Sequence, residues 1–142
     1  ILLFLCARMY TSKATMCGGT GNEVSNVYRV SYGRAQFLFT GDLVKEQEAK
    51  LLETGKDVRA AVLKAGHHGS ATSSSLAFLQ AVKPRYGVFC VGFENSFGHP
   101  KEEVLRRYEQ QGIEILRTDQ AGAIVFETDG EKMWVRTHVK QS

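Results

Sequence analysis

Apolar and polar residues alternate in several parts of the chain, and short continuous apolar runs occupy other parts. Alternation is typical of a half-buried β-strand, and a short apolar run between turn signals is typical of a buried one. Turns at Gly33-Arg34 and at Asp129-Gly130 each join two such segments and predict hairpins. The predicted strands are Val27–Tyr32, Ala35–Thr40, Ala60–Ala65, Tyr86–Val91, Ile113–Arg117, Ala123–Thr128 and Lys132–His138.

Three further segments carry apolar residues at helical spacing and lie between these strands. Leu43–Glu53 is followed by a glycine stop signal, and Ser73–Val82 begins with serines that can cap a helix. Pro100 is predicted to open the third helix, where its missing N–H costs nothing, and Gly112 is predicted to end it. Helices that alternate with strands predict an α/β or α+β fold with a mixed sheet.

The N-terminal region is less regular. Ile1–Tyr10 is predicted as a strand, and the polar, glycine-bearing segment Thr11–Asn22 is predicted as a loop. The apolar run Ile1–Leu5 is far shorter than the roughly 20 residues that span a bilayer, so we expect a soluble protein and favour the cytoplasm. A length of 142 residues predicts one domain.

Charge and cysteine content narrow the function classes. The 18 Lys and Arg against 15 Asp and Glu give a net charge of +3, and the cations are scattered along the chain. This distribution argues against a general polycation for nucleic acid but permits a local phosphate site. Three cysteines without C-x-x-C spacing (Cys6, Cys17 and Cys90) argue against a disulfide framework or a cysteine zinc site, and we expect idle thiols in a reducing compartment.

Polar residues that follow predicted strands are the candidates for chemistry, because loops after strands present functional groups on a sheet scaffold. The first segment is Thr40-Gly41-Asp42, where a glycine releases a carboxylate from the end of a strand. Asp42 could bind a metal ion, cap the following helix, or do both.

The second segment places two adjacent imidazoles, His67 and His68, between two glycines. Neutral imidazole is a common ligand of Zn²⁺ and Mn²⁺, and the flanking glycines would let a metal or an anion approach the backbone. An exposed polar turn is the alternative. Ser70 and the hydroxyl-rich helix start Thr72–Ser75 follow directly and predict an anion site.

The third segment, Asn95-Ser96-Phe97-Gly98-His99-Pro100, places His99 directly before a predicted helix. Asn95 and His99 could hydrogen-bond a substrate oxygen, or the segment could be an ordinary helix start. His138 is interpreted as a strand residue.

Taken together, these motifs resemble one family. The similar stretches are Asn22-x-x-Ser25, FLFTGD (37–42), LKAGHHGSATSSS (63–75), NSFGHP (95–100) and RTDQAGAI (117–124). They look like the metallo-β-lactamase-fold domain of the ComEC/Rec2 DNA-uptake proteins and their stand-alone relatives. The resemblance covers residues 22–142 and matches residues 1–21 poorly. It implies an αββα sandwich with metal at one edge of the two sheets, of which residues 1–142 would form the C-terminal portion.

The resemblance also implies roles for individual residues. Asp42 would bridge two metal ions, either Zn or Mn. One histidine of the pair would be a ligand, and we favour His67 because it follows the glycine, as the ligand does in the wider superfamily. His68 would then face a phosphate or assist catalysis, and His99 would either support a metal ligand or contact the substrate. The predicted catalytic residues are His68, His99 and Asn95.

Asn22 and Ser25 lie where other branches of the family place a third histidine, and with Ser70 they are predicted to contact the substrate phosphate. The family's H-x-H-x-D-H signature is absent from the chain, and no histidine precedes His67. We therefore expect a truncated form of the domain, in which metal binding is weak or absent.

Two functions remain open. The first is a metal-dependent hydrolase of phosphodiester bonds, a nuclease or phosphodiesterase that acts on nucleic acid or another phosphodiester. The second is a catalytically inactive half-domain that acts as a binding or assembly module. The apolar face of the hairpin at residues 27–40 would lack part of its partner sheet, which predicts a homo-oligomer.

Overall fold

The computed structural model describes residues 13–18 and 25–139, and for residues 13–18 only the backbone. The strands are β1 (Lys13–Gly18), β2 (Val27–Tyr32), β3 (Ala35–Phe39), β4 (Val62–Lys64), β5 (Tyr86–Phe89), β6 (Glu114–Arg117), β7 (Ile124–Thr128) and β8 (Met133–Thr137). The helices are α1 (Lys45–Glu53), α2 (Leu76–Val82), α3 (Glu102–Gln110) and the short α4 (Thr118–Ala121). The two adjacent histidines lie in a 3₁₀ turn, Gly66–Gly69.

A mixed sheet of six strands organises the fold, and its strands follow chain order from β1 to β6. β1, β2 and β3 pair antiparallel, whereas β3, β4, β5 and β6 pair parallel. Each parallel connection contains one helix, as parallel strands require. The mixed sheet with flanking helices confirms the predicted α/β class, and the hairpins β2–β3 and β7–β8 are both confirmed.

Alternate residues of the central strands enter two separate apolar clusters. Leu38, Leu63 and Phe89 pack with the apolar sides of α1, α2 and α3. Their strand neighbours Phe37 and Val88 belong to a second cluster, which includes residues of β7. The helices therefore cover one face of the sheet, and the β7–β8 hairpin covers part of the other.

One predicted loop contains a strand. Lys13–Gly18 forms β1 within the segment Thr11–Asn22, so the loop prediction is wrong there. The strand is held by antiparallel pairing with β2, a partner that the local composition does not reveal. The strand predicted for Ile1–Tyr10 lies outside the described residues.

The helix starts agree with the sequence signals at α2 but not at α3, whereas the predicted glycine stop of α3 is confirmed, since Gly112 directly follows its C-cap Gln111. The Ser75 side chain accepts a hydrogen bond from the Phe78 N–H at 3.3 Å, which confirms a serine cap. The predicted start at Pro100 is wrong, because the N-cap of α3 is Lys101. The Lys101 N–H instead donates to the Gly69 carbonyl at 2.9 Å and ties the start of α3 to the histidine turn.

The apolar face of the β2–β3 hairpin is only partly covered. Ala35 and Phe37 are buried in the second cluster, Val30 and Phe39 are half-buried beside it, and Tyr28 is 40% exposed. The homo-oligomer expected from this face stays a prediction. None of the helices in the described ranges has the length and apolar character needed to cross a membrane.

Candidate functional site

The three predicted segments meet at one edge of the sheet. The Asp42, His67–His68 and His99 segments follow the carboxyl ends of β3, β4 and β5, which are neighbours in the sheet. His68 lies 3.5 Å from Asp42 (Nε2 to Oδ1), and the ring centroids of His67 and His99 are 6.1 Å apart. The predicted convergence is confirmed, and we call these four residues the carboxyl-end site.

The turn that carries Asp42 is fastened to the neighbouring strand and loop. The Gly41 carbonyl accepts hydrogen bonds from Lys64 Nζ at 2.7 Å and from the His67 N–H at 3.1 Å. The Asp42 N–H donates to the Ser25 hydroxyl at 3.1 Å. The carboxylate itself is exposed, and the N-cap of α1 is Val44 rather than Asp42. Asp42 is therefore not the helix cap, and its side chain is free to act at the site.

The histidine turn has an unusual backbone. His67 and His68 both adopt left-handed conformations, with φ values of 44° and 55°. Such conformations are uncommon outside glycine and concentrate at functional sites. The flanking glycines were expected to admit a metal or an anion, but they serve close packing: a Cβ on Gly66 would lie 2.7 Å from the Leu43 carbonyl oxygen, and one on Gly69 would lie 2.6 Å from Pro100.

His68 forms the closest contacts with the carboxylate side of the site. Its Nδ1 lies 2.6 Å from the Cys90 carbonyl oxygen, which can only accept, so Nδ1 carries a proton. In the neutral ring, Nε2 then presents a lone pair toward Asp42 Oδ1. Two facing lone pairs repel each other unless a proton or a cation lies between them. A bound cation therefore stabilises this pair.

His67 and His99 form the second half of the carboxyl-end site. The Nδ1 atoms of both rings are buried, and neither has a hydrogen-bond partner in the part of the chain that the structure describes. Burial, followed by the charges of Lys101, His67 and His68, lowers the pKa of His99 below its ordinary value. His99 is therefore neutral near pH 7.

Asn95 acts on the backbone of its own loop. Its Oδ1 accepts from the His99 N–H at 2.9 Å, and its Nδ2 donates to the His99 carbonyl at 2.7 Å. The Phe97 ring stacks on the His99 ring with centroids 6.0 Å apart. The amide predicted to contact substrate is thus occupied by the loop, and Asn95 positions His99.

The serine-rich start of α2 already binds an anion, and that anion is a side chain of the protein. Glu48, which is 1% exposed, accepts from the Ser74 N–H at 2.6 Å and from the Ser75 N–H at 2.8 Å. Ser70 is also buried, and its hydroxyl lies 3.0 Å from that of Thr72. The anion site predicted for these N–H groups is wrong, because the carboxylate of Glu48 occupies them.

The other predicted phosphate contacts differ in position. Ser25 lies next to the site, since its hydroxyl accepts a hydrogen bond from the Asp42 N–H, whereas Asn22 lies outside the described residues.

Sequence reasoning missed Lys64, which is the last residue of β4. A lysine in an otherwise apolar strand is the signal that could have indicated it. Burial lowers the pKa of Lys64, and the charges of Cys90 and Asp42 oppose that effect.

The carboxyl-end site fits a divalent metal in chemistry but not in number of donors. A carboxylate beside an imidazole whose Nδ1–H is bound to a carbonyl is an arrangement common at metal centres. A resident zinc ion takes at least three protein ligands. Among residues 25–139, whose side chains the structure describes, no group of three or more His, Cys, Asp or Glu is placed to hold a metal ion. Asp42 and His68 supply two donors.

Comparison with curated proteins gives several matches. The chain is 46% identical over 106 residues to "Competence protein ComA" of Neisseria gonorrhoeae. This aligned region covers 74% of this chain and 15% of that protein. It is 36% identical over 105 residues to "ComE operon protein 3" of Bacillus subtilis, covering 74% of the chain and 14% of that protein. It is 32% identical over 103 residues to "Recombination protein 2" of Haemophilus influenzae, and this aligned region covers 72% of this chain and 13% of that protein.

These matches establish a relationship to competence proteins. The matched region spans about a seventh of the length of these relatives. No protein-family model matches the chain.

Proposed function

We propose that this chain, a relative of competence proteins, contributes the Asp42–His68 half of a metal-dependent site that hydrolyses phosphodiester bonds in nucleic acid. The observation that carries the proposal is the approach of His68 Nε2 to Asp42 Oδ1 at 3.5 Å, with His67 and His99 at the same edge of the sheet. A complete metal site of this kind requires further ligands besides Asp42 and His68.

The chain's own residues have distinct parts in this proposal. Asp42 and His68 would hold the ion, either Zn²⁺ or Mn²⁺, and a bound divalent ion would supply Lewis acidity and an activated water. The Cys90 carbonyl fixes the His68 tautomer, so that Nε2 keeps its lone pair for the ion. This assignment exchanges the roles predicted for His67 and His68.

Lys64, His67 and His99 act on the substrate in this proposal. Lys64 Nζ is anchored on the Gly41 carbonyl and places a positive charge beside the Asp42 turn, where it favours an anionic phosphate. His67 and His99 present imidazole nitrogens that can donate to or accept from a phosphate oxygen. His99 is neutral at pH 7 and binds without a charge of its own.

Metal titration of the purified chain tests the assignment. We expect isothermal titration calorimetry to show Zn²⁺ or Mn²⁺ binding that weakens at least tenfold in His68→Ala and in Asp42→Asn. His67→Ala should have a smaller effect. His138→Ala removes an exposed imidazole distant in sequence from the site and serves as the control. Equal affinities for wild type, His68→Ala and Asp42→Asn would contradict the proposal.

A second candidate function is a binding or assembly module without catalysis. It is favoured by one observation: the side chains at residues 25–139 include no group of three metal donors. Hydrolysis of bis(p-nitrophenyl) phosphate at saturating metal separates the two candidates. Turnover that is lost in Asp42→Asn supports the hydrolase, and an absence of Zn²⁺ and Mn²⁺ binding by the wild-type chain supports the module.

A further inference from the structure

A groove lies at the amino ends of β3, β4 and β5, opposite the carboxyl-end site. It is a cavity of about 410 Å³, formed between the starts of these strands and the turn that joins β7 to β8. We define the amino-end groove by six lining residues: Arg34, Ala61, Arg85, Glu131, Lys132 and Trp134. Its volume lies within the range of small-molecule sites and is sufficient for about one nucleotide.

The lining of the groove has a net positive charge. Its three cations, Arg34, Arg85 and Lys132, are exposed and outnumber the lining carboxylate Glu131 and Asp129 of the β7–β8 turn, which interacts electrostatically with Lys132. In the described parts of the chain, none of the three cations has a carboxylate within salt-bridge distance. Their neighbour Arg136 is different, because it is paired with Glu127 at 2.9 Å. Clustered unpaired cations around a cavity favour an anionic ligand.

The backbone that carries these cations is held in place. The Arg34 N–H donates to the Gly130 carbonyl at 2.5 Å, and this contact joins the β2–β3 turn to the β7–β8 turn. A Cβ on Gly33 would lie 2.2 Å from the same carbonyl oxygen, so the two turns touch. The Arg85 guanidinium lies over the Tyr86 ring at 4.9 Å from its centroid. Little ordering is therefore needed when a ligand binds.

The groove also contains the only tryptophan of the chain. Trp134 is 49% exposed, although apolar residues of this size are usually buried. An exposed indole beside unpaired cations is the combination that binds single-stranded nucleic acid, since bases stack on aromatic rings and phosphates bind cations. An acidic peptide would use the cations but would gain nothing comparable from the indole.

We propose that the amino-end groove binds single-stranded nucleic acid, with a base stacked on Trp134 and phosphates held by Arg34, Arg85 and Lys132. The groove requires no metal and is separate from the carboxyl-end site. It would hold a nucleic-acid strand at the edge of the sheet opposite the Asp42–His68 pair.

The test measures binding of a 15-nucleotide oligothymidylate in EDTA, with Trp134 fluorescence as the signal. Because the chain has one tryptophan, any quenching reports on the groove. Three phosphate contacts predict a slope of log K against log salt of about −2, which is roughly a tenfold loss of affinity between 50 and 150 mM salt. Oligoglutamate of equal charge should bind at least tenfold more weakly and should leave the fluorescence unchanged.

Variants separate the groove from other surfaces, with binding followed by polarisation of fluorescein-labelled oligothymidylate. Replacing Arg34, Arg85 and Lys132 by Gln should bring the salt slope close to zero. A control with the same loss of charge replaces Lys50, Lys56 and Arg106 by Gln and should bind as wild type does. Trp134→Ala should lose about tenfold in affinity, whereas Trp134→Phe should retain most of it.

Three results would overturn the proposal. They are equal binding by wild type and the triple groove variant, equal binding of oligoglutamate, and binding of oligothymidylate without quenching. The oligothymidylate assay is run in EDTA and the metal titration is run without nucleic acid, so each proposal is tested by its own measurement. A result that excludes nucleic-acid binding in the groove therefore does not contradict the proposed metal site, and a result that excludes the metal site does not contradict the groove.

Discussion

The buried carboxylate of Glu48 supports the loop between the histidine turn and α2, and its replacement tests how that loop is held. Glu48 accepts the N–H groups of Ser74 and Ser75. On the other side of the loop, Arg107 donates to the Ser74 carbonyl at 2.6 Å. The Tyr108 hydroxyl lies 3.1 Å from the Ser74 hydroxyl. Ser74 has a φ of 57°, an uncommon conformation for serine, which these contacts from α1 and α3 hold.

The Glu48→Gln substitution keeps the size of the side chain and removes one acceptor. A hydrogen bond to a charged group contributes about 1.5–3 kcal/mol, and a buried donor left without an acceptor costs about 1–3 kcal/mol. Part of this loss is offset, because burying a neutral amide costs less than burying a carboxylate. We expect a net destabilisation of about 2–3 kcal/mol. For a chain of 142 residues this corresponds to a decrease in Tm of roughly 6–9 °C.

Urea denaturation followed by circular dichroism measures this change in the free energy of unfolding. Glu46→Gln is the matched control, because Glu46 lies on the same helix with its side chain exposed, and it should change stability by less than about 1 kcal/mol. The loss in Glu48→Gln should be accompanied by faster hydrogen exchange at Ser74 and Ser75. If Glu48→Gln and Glu46→Gln have the same stability, the carboxylate does not hold the loop and the reasoning is refuted.

Two further predictions concern the packing of Gly87 in the core and the pKa of His99. Gly87→Ala should destabilise the protein by about 1–3 kcal/mol, because the new Cβ would lie 2.4 Å from the Tyr108 ring, whereas Gly92→Ala, which meets open space, should be near neutral in the same denaturation assay. NMR titration should give His99 a pKa below its ordinary value of about 6.5. The unfolded chain then binds this proton more readily than the folded one, so the stability due to His99 is full above pH 6.5 and is lost as the pH falls through the lower, folded pKa. A midpoint for His99 at or above 6.5 would contradict this, and His99→Gln should remove its share of the pH dependence.

Local signals in the sequence were sufficient for most of the fold. Residues 27–32 alternate as a half-buried strand does, Gly33-Arg34 turns the chain, and these segments form the β2–β3 hairpin at the predicted position. The segments with Asp42, His67 and His99 follow strands that are parallel neighbours, so their meeting at one edge could be predicted from element order alone. The strand at Lys13–Gly18 could not be predicted, because its stability comes from pairing with β2.

The finer structure of the site depended on contacts between residues far apart in sequence. His67 and His68 have the same side chain and nearly the same local context, and only the fold decides which one faces Asp42. The Cys90 carbonyl, 22 residues away from His68, orients that ring. In the same way, the N–H groups at the start of α2 are typical of an anion site, but Glu48, 26 residues before Ser74, already occupies them.

Local sequence patterns are enough to predict the alternation of strands and helices, the turns between them, and a carboxylate and three imidazoles after strand ends. These features depend on periodicity and on residue type, which act over a few residues. Three features become visible only in the folded chain. Asp42 pairs with His68, Glu48 accepts the N–H groups at the start of α2, and Arg34, Arg85 and Trp134 share one groove. Side-chain direction and desolvation depend on neighbours brought together by the whole chain, and no local pattern encodes them.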